Sequence, residues 1–476
     1  MLKNGLFFFL TIFFVQTAIS QPWVDSEYDI EIHKDSVYGY AIDYTGKEQA
    51  LRCDIAFPIN DTIPECGRPL VLVVHGGSFL AGNKEEYDIQ LWMKEFAKKG
   101  YVAVAINYRL GMFQTEEYIT CAVQDWGCLN MADSAEWYRG NYRGMQDCKG
   151  AIRYMISNKD QFNIDPNNVF LIGESAGGFI TMASAYLDDE SERSELTKEI
   201  AEVSAPAMQY QNACVPPEAF PIGMMDLRRP DLGGIQGTIH LENNNYRIKG
   251  VASFFGGIMN DFLASQDNTY PLPALYMYAQ PNDLIVPFGR SKVMAGLSAC
   301  AVQYSGCNYL KNVPEVYGNG GIRNLIVNNE ANGVTMPTFN AEFTENYADC
   351  LLQGLFPGLT GHAVDDIFVR TKSLATFFAK QIGSASDCLS SNKTVNDLSF
   401  EIYPNPVQNV IQVKVSDNKD RLIIEVLDMS GHMLSRKSVD TNSDIETMDM
   451  TAYGKGFFII KLIGPSYIAS QRIIIQ

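Results

Sequence analysis

The chain has 476 residues, of which 46% are hydrophobic and 11% aromatic, and it carries a formal net charge of -18. This length allows more than one domain of the ordinary ~150 residues, and the composition supplies apolar surface for a large interior, which excludes a globally disordered or fibrous chain. The acidic balance repels phosphate backbones, so no nucleic-acid partner is expected, and it fits a soluble extracellular protein.

The N-terminus places Lys3 before an apolar run from Leu6 to Val15 and small residues up to Ser20. This is the pattern of a signal peptide over 1–20. The run is shorter than the ~20 residues a spanning helix needs, so a permanent anchor is the weaker reading and no permanent membrane span is expected. No cysteine follows the cleavage point to take a lipid.

Residues 21–390 read as one α/β domain. Short apolar runs, Leu70 to Val74, Tyr101 to Ile106, Val169 to Ile172, Val251 to Phe255 and Ala274 to Tyr278, alternate with helical stretches. Continuous apolar strands between helices predict a doubly wound, mostly parallel sheet covered on both faces. Phe179, Met182, Ala183, Tyr186 and Leu187 follow the spacing of a helix with one buried stripe. Another helix is expected to start at Asp147 as its N-cap and to bury Ile152, Met155 and Ile156. A last one carries Leu374, Phe377, Phe378 and Ile382. Two stretches break the rhythm, Met112 to Gln146 and Ala299 to Cys350. Both read as loop insertions, which either border an active site as a lid or decorate the surface.

A polar linker over 391–397 leads to a tail, 398–476, with strand-like runs Val410 to Val415, Leu422 to Leu427 and Phe457 to Ile463 and no helical period. It predicts a small all-β, sandwich-like domain. All ten cysteines lie between Cys53 and Cys388. In an exported chain an even count suggests disulfides, and the pairs Cys121 with Cys128 and Cys300 with Cys307 could close local loops; several buried free thiols are the alternative. No zinc-ligand spacing is present, so no metal is expected.

Gly173-Glu174-Ser175-Ala176-Gly177 fits Gly-x-Ser-x-Gly. It follows a strand and opens a helix, the setting in which a sharp turn lifts a serine hydroxyl above the sheet, so Ser175 is the candidate nucleophile. A serine needs a base and a carboxylate to orient that base. Of the five histidines, His33 and His75 precede the serine, His432 lies in the tail and His240 comes before the best acid. His362 remains as the base. Asp283, after the run Leu275 to Tyr278, is the expected acid, with Asp261 as competitor. His75-Gly76-Gly77 follows the strand Leu70 to Val74, and the N–H groups of Gly76, Gly77 and Ala176 are the expected oxyanion hole. His75 itself reads as structural.

Val74-His75-Gly76-Gly77, Asn107-Tyr108-Arg109-Leu110-Gly111, Ile164-Asp165-Pro166 and Gly173-Glu174-Ser175-Ala176-Gly177-Gly178 stand in the order of the α/β-hydrolase carboxylesterases. Over roughly residues 50 to 385 the chain resembles type B carboxylesterases, the hormone-sensitive-lipase group and feruloyl-esterase-like enzymes. The resemblance implies a serine carboxylesterase acting on a small-molecule or polymer-linked ester through an acyl-enzyme, without metal or cofactor. It departs from type B enzymes in a shorter catalytic part and a longer region before His362. Tyr403-Pro404-Asn405-Pro406, Leu427-Asp428-Met429-Ser430-Gly431 and Gly456-Phe457-Phe458 resemble the sorting domain of the type IX secretion system. That likeness implies the secretion machinery as partner and export across the outer membrane; a carbohydrate- or surface-binding sandwich is the alternative for the tail. A serine peptidase on the same triad and an inactive hydrolase-fold adhesion protein are the competing functions. The peptidase relatives usually carry a propeller before the hydrolase domain, for which this chain has little room.

Overall fold

The five apolar runs become the buried centre of a single sheet. Its strands are β1 (Asp29–Ile42), β2 (Glu48–Ile59), β3 (Arg68–Val74), β4 (Val102–Ile106), β5 (Ile164–Glu174), β6 (Ile248–Phe254), β7 (Ala274–Ala279) and β8 (Phe339–Phe343), in the order β1-β2-β4-β3-β5-β6-β7-β8. β1 and β2 form an antiparallel hairpin and β2 meets β4 antiparallel; all pairings from β4 to β8 are parallel. The longer helices among the described residues are α1 (Tyr87–Lys98), α2 (Ser134–Ser157), α3 (Ala176–Tyr186), α4 (Asn319–Ala331) and α5 (Ile367–Ala379). Strand alternation sends Leu70, Leu72 and Val74 into one core layer with Met145 and Ile152 of α2 and Phe179 and Met182 of α3. It sends Val71 and Val73 into the other, with Trp92 and Phe96 of α1 and Leu374 and Phe378 of α5. Helices thus cover both faces, and the order is that of the α/β-hydrolase fold.

The structure, a computed structural model, describes residues 22–112, 134–200, 229–243, 245–264, 271–297, 313–345, 360–382, 400–415, 422–428, 433–439, 445–464 and 467–476. The signal peptide, the linker 391–397, and the pairs Cys121 with Cys128 and Cys300 with Cys307 lie outside the described residues. Cys53 and Cys148 are buried free thiols, and Cys66 is disulfide-bonded.

Three expectations need correction. Asp147 is not a cap: it lies inside α2, fully buried, and its carboxylate takes the backbone N–H and Nε of Arg109. The sequence hid the first half of this helix because its residues are polar, yet they are buried. Arg139 donates to Lys198 O, Gln146 to Leu232 O and Gly234 O, and Arg153 to Ile239 O. The helix holds the irregular segment beside it through that segment's carbonyls, which would otherwise be buried unsatisfied. The stretch 112–146 therefore ends in helix. The stretch 299–350 is also more than a loop: it supplies α4 and β8, the sheet's last strand, and a short strand Glu315–Gly318 paired with Gly257–Ile258 and Arg290–Lys292.

The chain divides into two compact units, Met1–Ile382 and Gly383–Gln476. The second is all-β, with β9 (Phe400–Tyr403), β10 (Val410–Val415), β11 (Leu422–Leu427), β12 (Met433–Val439), β13 (Ile445–Asp449), β14 (Gly456–Gly464) and β15 (Tyr467–Ile475). They form two sheets, β9-β10-β13 and β12-β11-β14-β15. Ile411 and Val413 of one and Ile424, Val426 and Ile460 of the other share a single core, so the unit is a sandwich.

Candidate active site

Ser175 joins β5 to α3 with φ 51° and ψ -118°, a conformation that costs an L-residue ~1–3 kcal/mol and persists only where the surroundings enforce it. Here Ser175 N donates to Phe254 O at 2.7 Å, and Ser175 O accepts from Gly178 N at 2.9 Å. Two glycines make the turn possible. A Cβ at Gly173 would stand 2.1 Å from Gly177 O, and one at Gly177 the same distance from Val74 O. The serine hydroxyl makes no capping bond to α3, so it is not used in starting the helix.

The turn after β3 lies against this serine. A Cβ on Gly76 would come 3.1 Å from Ser175 Cβ and 3.8 Å from its Oγ. Gly77 has φ +98°, and its carbonyl takes Leu80 N and Ala81 N. Among the described residues the N–H groups of Gly76, Gly77 and Ala176 donate to no backbone carbonyl. His75 is fully buried, donates from Nδ1 to Gly76 O at 2.8 Å, and stacks on Tyr108 at 4.4 Å. Burial pushes its pKa down to about 4, so it stays neutral and serves the turn.

Asp283 and His362 meet from two loops. His362 Nδ1 stands 2.7 Å from Asp283 Oδ2, while Asp283 Oδ1 accepts from Ile285 N and Val286 N at 2.7 and 3.0 Å. Each carboxylate oxygen is therefore committed, and the imidazole's orientation is fixed. The loops lie directly on each other: Leu284 N donates to Thr360 O, and Gly361, at φ +70°, leaves no room for a Cβ against Asn282 O. The competitor Asp261 is exposed and accepts from Leu263 N at 3.3 Å. The other histidines are engaged elsewhere, His33 with Glu31 and His240 with Tyr38 O; His432 is outside the described residues.

The His362 ring lies 4.9 Å from that of Phe255, the residue after Phe254, whose carbonyl holds Ser175 N. This puts the imidazole beside the serine turn. His362 Nε2 is buried, with no hydrogen-bond partner among the described residues. Burial pulls this pKa down, but the Asp283 carboxylate and then Glu174 push it up, and the net is above the ordinary value. Glu174 is raised by burial to about 7. Sequence reasoning passed over Glu174 and Phe255, although Glu174 sits inside the motif, next to the serine. A hydroxyl on a strained turn, unclaimed N–H groups at its side and a buried imidazole tied to a carboxylate are the parts that acyl transfer requires.

The chain's likeness to known proteins follows the same division. Residues 26–210 match the Carboxylesterase family, and residues 401–476 match the Secretion system C-terminal sorting domain. The carboxylesterase match thus covers the first part of the α/β unit. That segment holds the Gly76-Gly77 turn and Ser175; Asp283 and His362 lie beyond it. Neuroligin-like protein glit-1 of Caenorhabditis elegans is 30% identical over 156 residues, 33% of this chain and 17% of that protein. Liver carboxylesterase B-1 of Rattus norvegicus is 33% identical over 132 residues, 28% of this chain and 20% of that protein. The chain thus spans about a fifth of the length of the curated relatives it matches. Among solved structures, esterase 2 of Thermogutta terrifontis phosphoramylated by tabun is 15% identical, covering 74% of this chain and 95% of that one with a TM-score of 0.36.

Proposed function

We propose that this chain is an exported carboxylic-ester hydrolase that works through an acyl-enzyme on Ser175. The observation that carries the reading is the 2.7 Å pairing of His362 Nδ1 with Asp283 Oδ2, because it fixes the tautomer that leaves Nε2 as proton acceptor. Ser175 Oγ attacks the ester carbonyl as His362 Nε2 takes its proton. Asp283 stabilises the resulting imidazolium. The N–H groups of Gly76, Gly77 and Ala176 hold the oxyanion, and glycine at 76 keeps the space beside the Oγ open. His362 then protonates the leaving alcohol, and water, activated by the same nitrogen, releases the acid.

Residues 21–390 form the catalytic domain in this proposal and 398–476 the domain read by the secretion machinery, after a signal peptide over 1–20. The sorting-domain match supports export to the cell surface or beyond, and among the described residues no helix is long and apolar enough to cross a membrane. The disulfide at Cys66 fits an oxidising compartment.

The test is turnover of p-nitrophenyl esters of rising chain length, alongside feruloyl and acetylated-sugar esters, by the wild type and Ser175→Ala. Wild-type hydrolysis that is lost in the variant supports the proposal. A folded wild type inactive on every ester, or a variant that keeps more than about a tenth of kcat, overturns it.

A further inference from the structure

Away from the serine turn, the tip of the β1–β2 hairpin, the first turns of α2 and the segment from Arg229 to Leu232 enclose a cavity of about 60 Å³. Its charged lining consists of Arg139, Arg143, Arg229, Glu136 and Asp43. The two carboxylates are engaged. Glu136 pairs with Arg229 at 2.8 Å, and Asp43 Oδ1 takes Thr45 N, Thr45 Oγ1 and Lys47 N of its own turn. Arg139 donates to the carbonyls of Leu196, Lys198 and Pro230 and to no carboxylate among the described residues.

Arg143 is the decisive group. It is 2% exposed, its Nη2 donates to Gly111 O at 2.6 Å, and its Nε has no hydrogen-bond partner among the described residues. Its guanidinium lies over the Tyr44 ring at 5.9 Å and feels the charges of Glu136 and Asp147, but no carboxylate among the described residues forms an ion pair with it, and a buried guanidinium left without a direct anionic partner is costly. The cavity is far below the ~300 Å³ of an ordinary organic-ligand pocket but above the ~10–15 Å³ one water needs, so its occupant is small. Ile42 and Leu232 make part of the wall apolar, which suits a weakly hydrated ion.

We propose that this cavity binds one small monovalent anion of the halide class, held by the guanidinium groups of Arg143 and Arg139. The ion braces the oxyanion turn at one remove. Arg143 holds Gly111 O, Gly111 N donates to Phe79 O at 2.9 Å, and Phe79 lies two residues beyond Gly77. The edge of the Tyr44 ring fills the space where Gly111 would carry a Cβ, so the hairpin tip, the cavity and the turn are packed as one piece.

The test uses the full chain and bromide as the probe. Crystals soaked in about 0.5 M bromide should show an anomalous peak in the cavity within hydrogen-bond distance, about 3.3 Å, of Arg143 Nε. Melting in sodium bromide should exceed melting in sodium gluconate of equal ionic strength by about 2 °C or more, in a saturable way, and Arg143→Gln should remove that increment. The crystal result stands even if the variant does not fold. A cavity holding only water overturns the proposal, and so does bromide density with equal melting in the two salts, which marks an adventitious ion only.

Discussion

Nδ1 of His362 and Oδ2 of Asp283 stand 2.7 Å apart although 79 residues separate them in the chain. Their loops are joined by the Leu284 N to Thr360 O bond and by the close seat of Gly361 on Asn282, so the pair is set by backbone and not by two free side chains finding each other. In the proposed mechanism, a His–Asp pair fixed in this way needs little reorganisation as charge develops on the imidazole.

Replacing Asp283 by Asn removes the anion and permits the wrong tautomer. The expected loss is up to ~10⁴ in kcat with the fold retained, whereas Asp261→Asn, on an exposed side chain, should change kcat less than about twofold. Steady-state kinetics of the two variants side by side decide it. Near-normal activity in Asp283→Asn with loss in Asp261→Asn would reverse the assignment.

In the proposed mechanism His362 must be neutral to accept the proton of Ser175, and its pKa lies above the ordinary imidazole value. The kcat/KM of the wild type should therefore fall as pH drops through a midpoint above ~6.5. Glu174 is one of the groups that raise this pKa, so Glu174→Gln should move the acid limb to lower pH while keeping much of the plateau rate. A limb that stays in place or moves to higher pH in Glu174→Gln contradicts the coupling.

Gly76→Ala sets a methyl 3.1 Å from Ser175 Cβ and near its Oγ, where the substrate carbonyl must sit. A displaced oxyanion donor costs about 10²–10³ in kcat, and that is the expected loss, with a melting temperature close to wild type. An unchanged kcat would remove Gly76 from the proposed oxyanion hole.

A chain ending at Leu389 keeps the first compact unit, Met1–Ile382, and loses the β-sandwich. It should hydrolyse small esters within about twofold of the full chain, because no proposed catalytic group lies in the tail. A folded truncation with no activity would show that the tail completes the site.

Much of this was legible because buried elements write themselves plainly. Strands β3 to β7 are covered on both faces and read as unbroken apolar runs, and Ser175 carries a motif whose glycines have no alternative. The hairpin β1–β2 was not legible: β1 is mostly half-exposed or exposed, with Tyr40 at 59%, and only Tyr38 in it is fully buried. Strand β8, Phe-Asn-Ala-Glu-Phe, lies at the sheet edge and needs no apolar run. The start of α2 was hidden because its buried polar residues bond to carbonyls from distant segments, which no local period records. His362 was reached by elimination. Glu174 was missed because nothing in a single residue type announces that burial will hold its carboxyl at about 7.

The central claim, that Ser175 is the nucleophile of an acyl-transfer site, is tested most directly by covalent labelling. The full chain would be treated with a fluorophosphonate and the modified peptide located by mass spectrometry. The account predicts one phosphonyl group per chain, on Ser175, with ester hydrolysis lost in step with labelling and labelling slowed by more than about a hundredfold in His362→Ala, where the base is gone. Label on another residue with hydrolysis still lost, or complete loss of hydrolysis without label on Ser175, would contradict it.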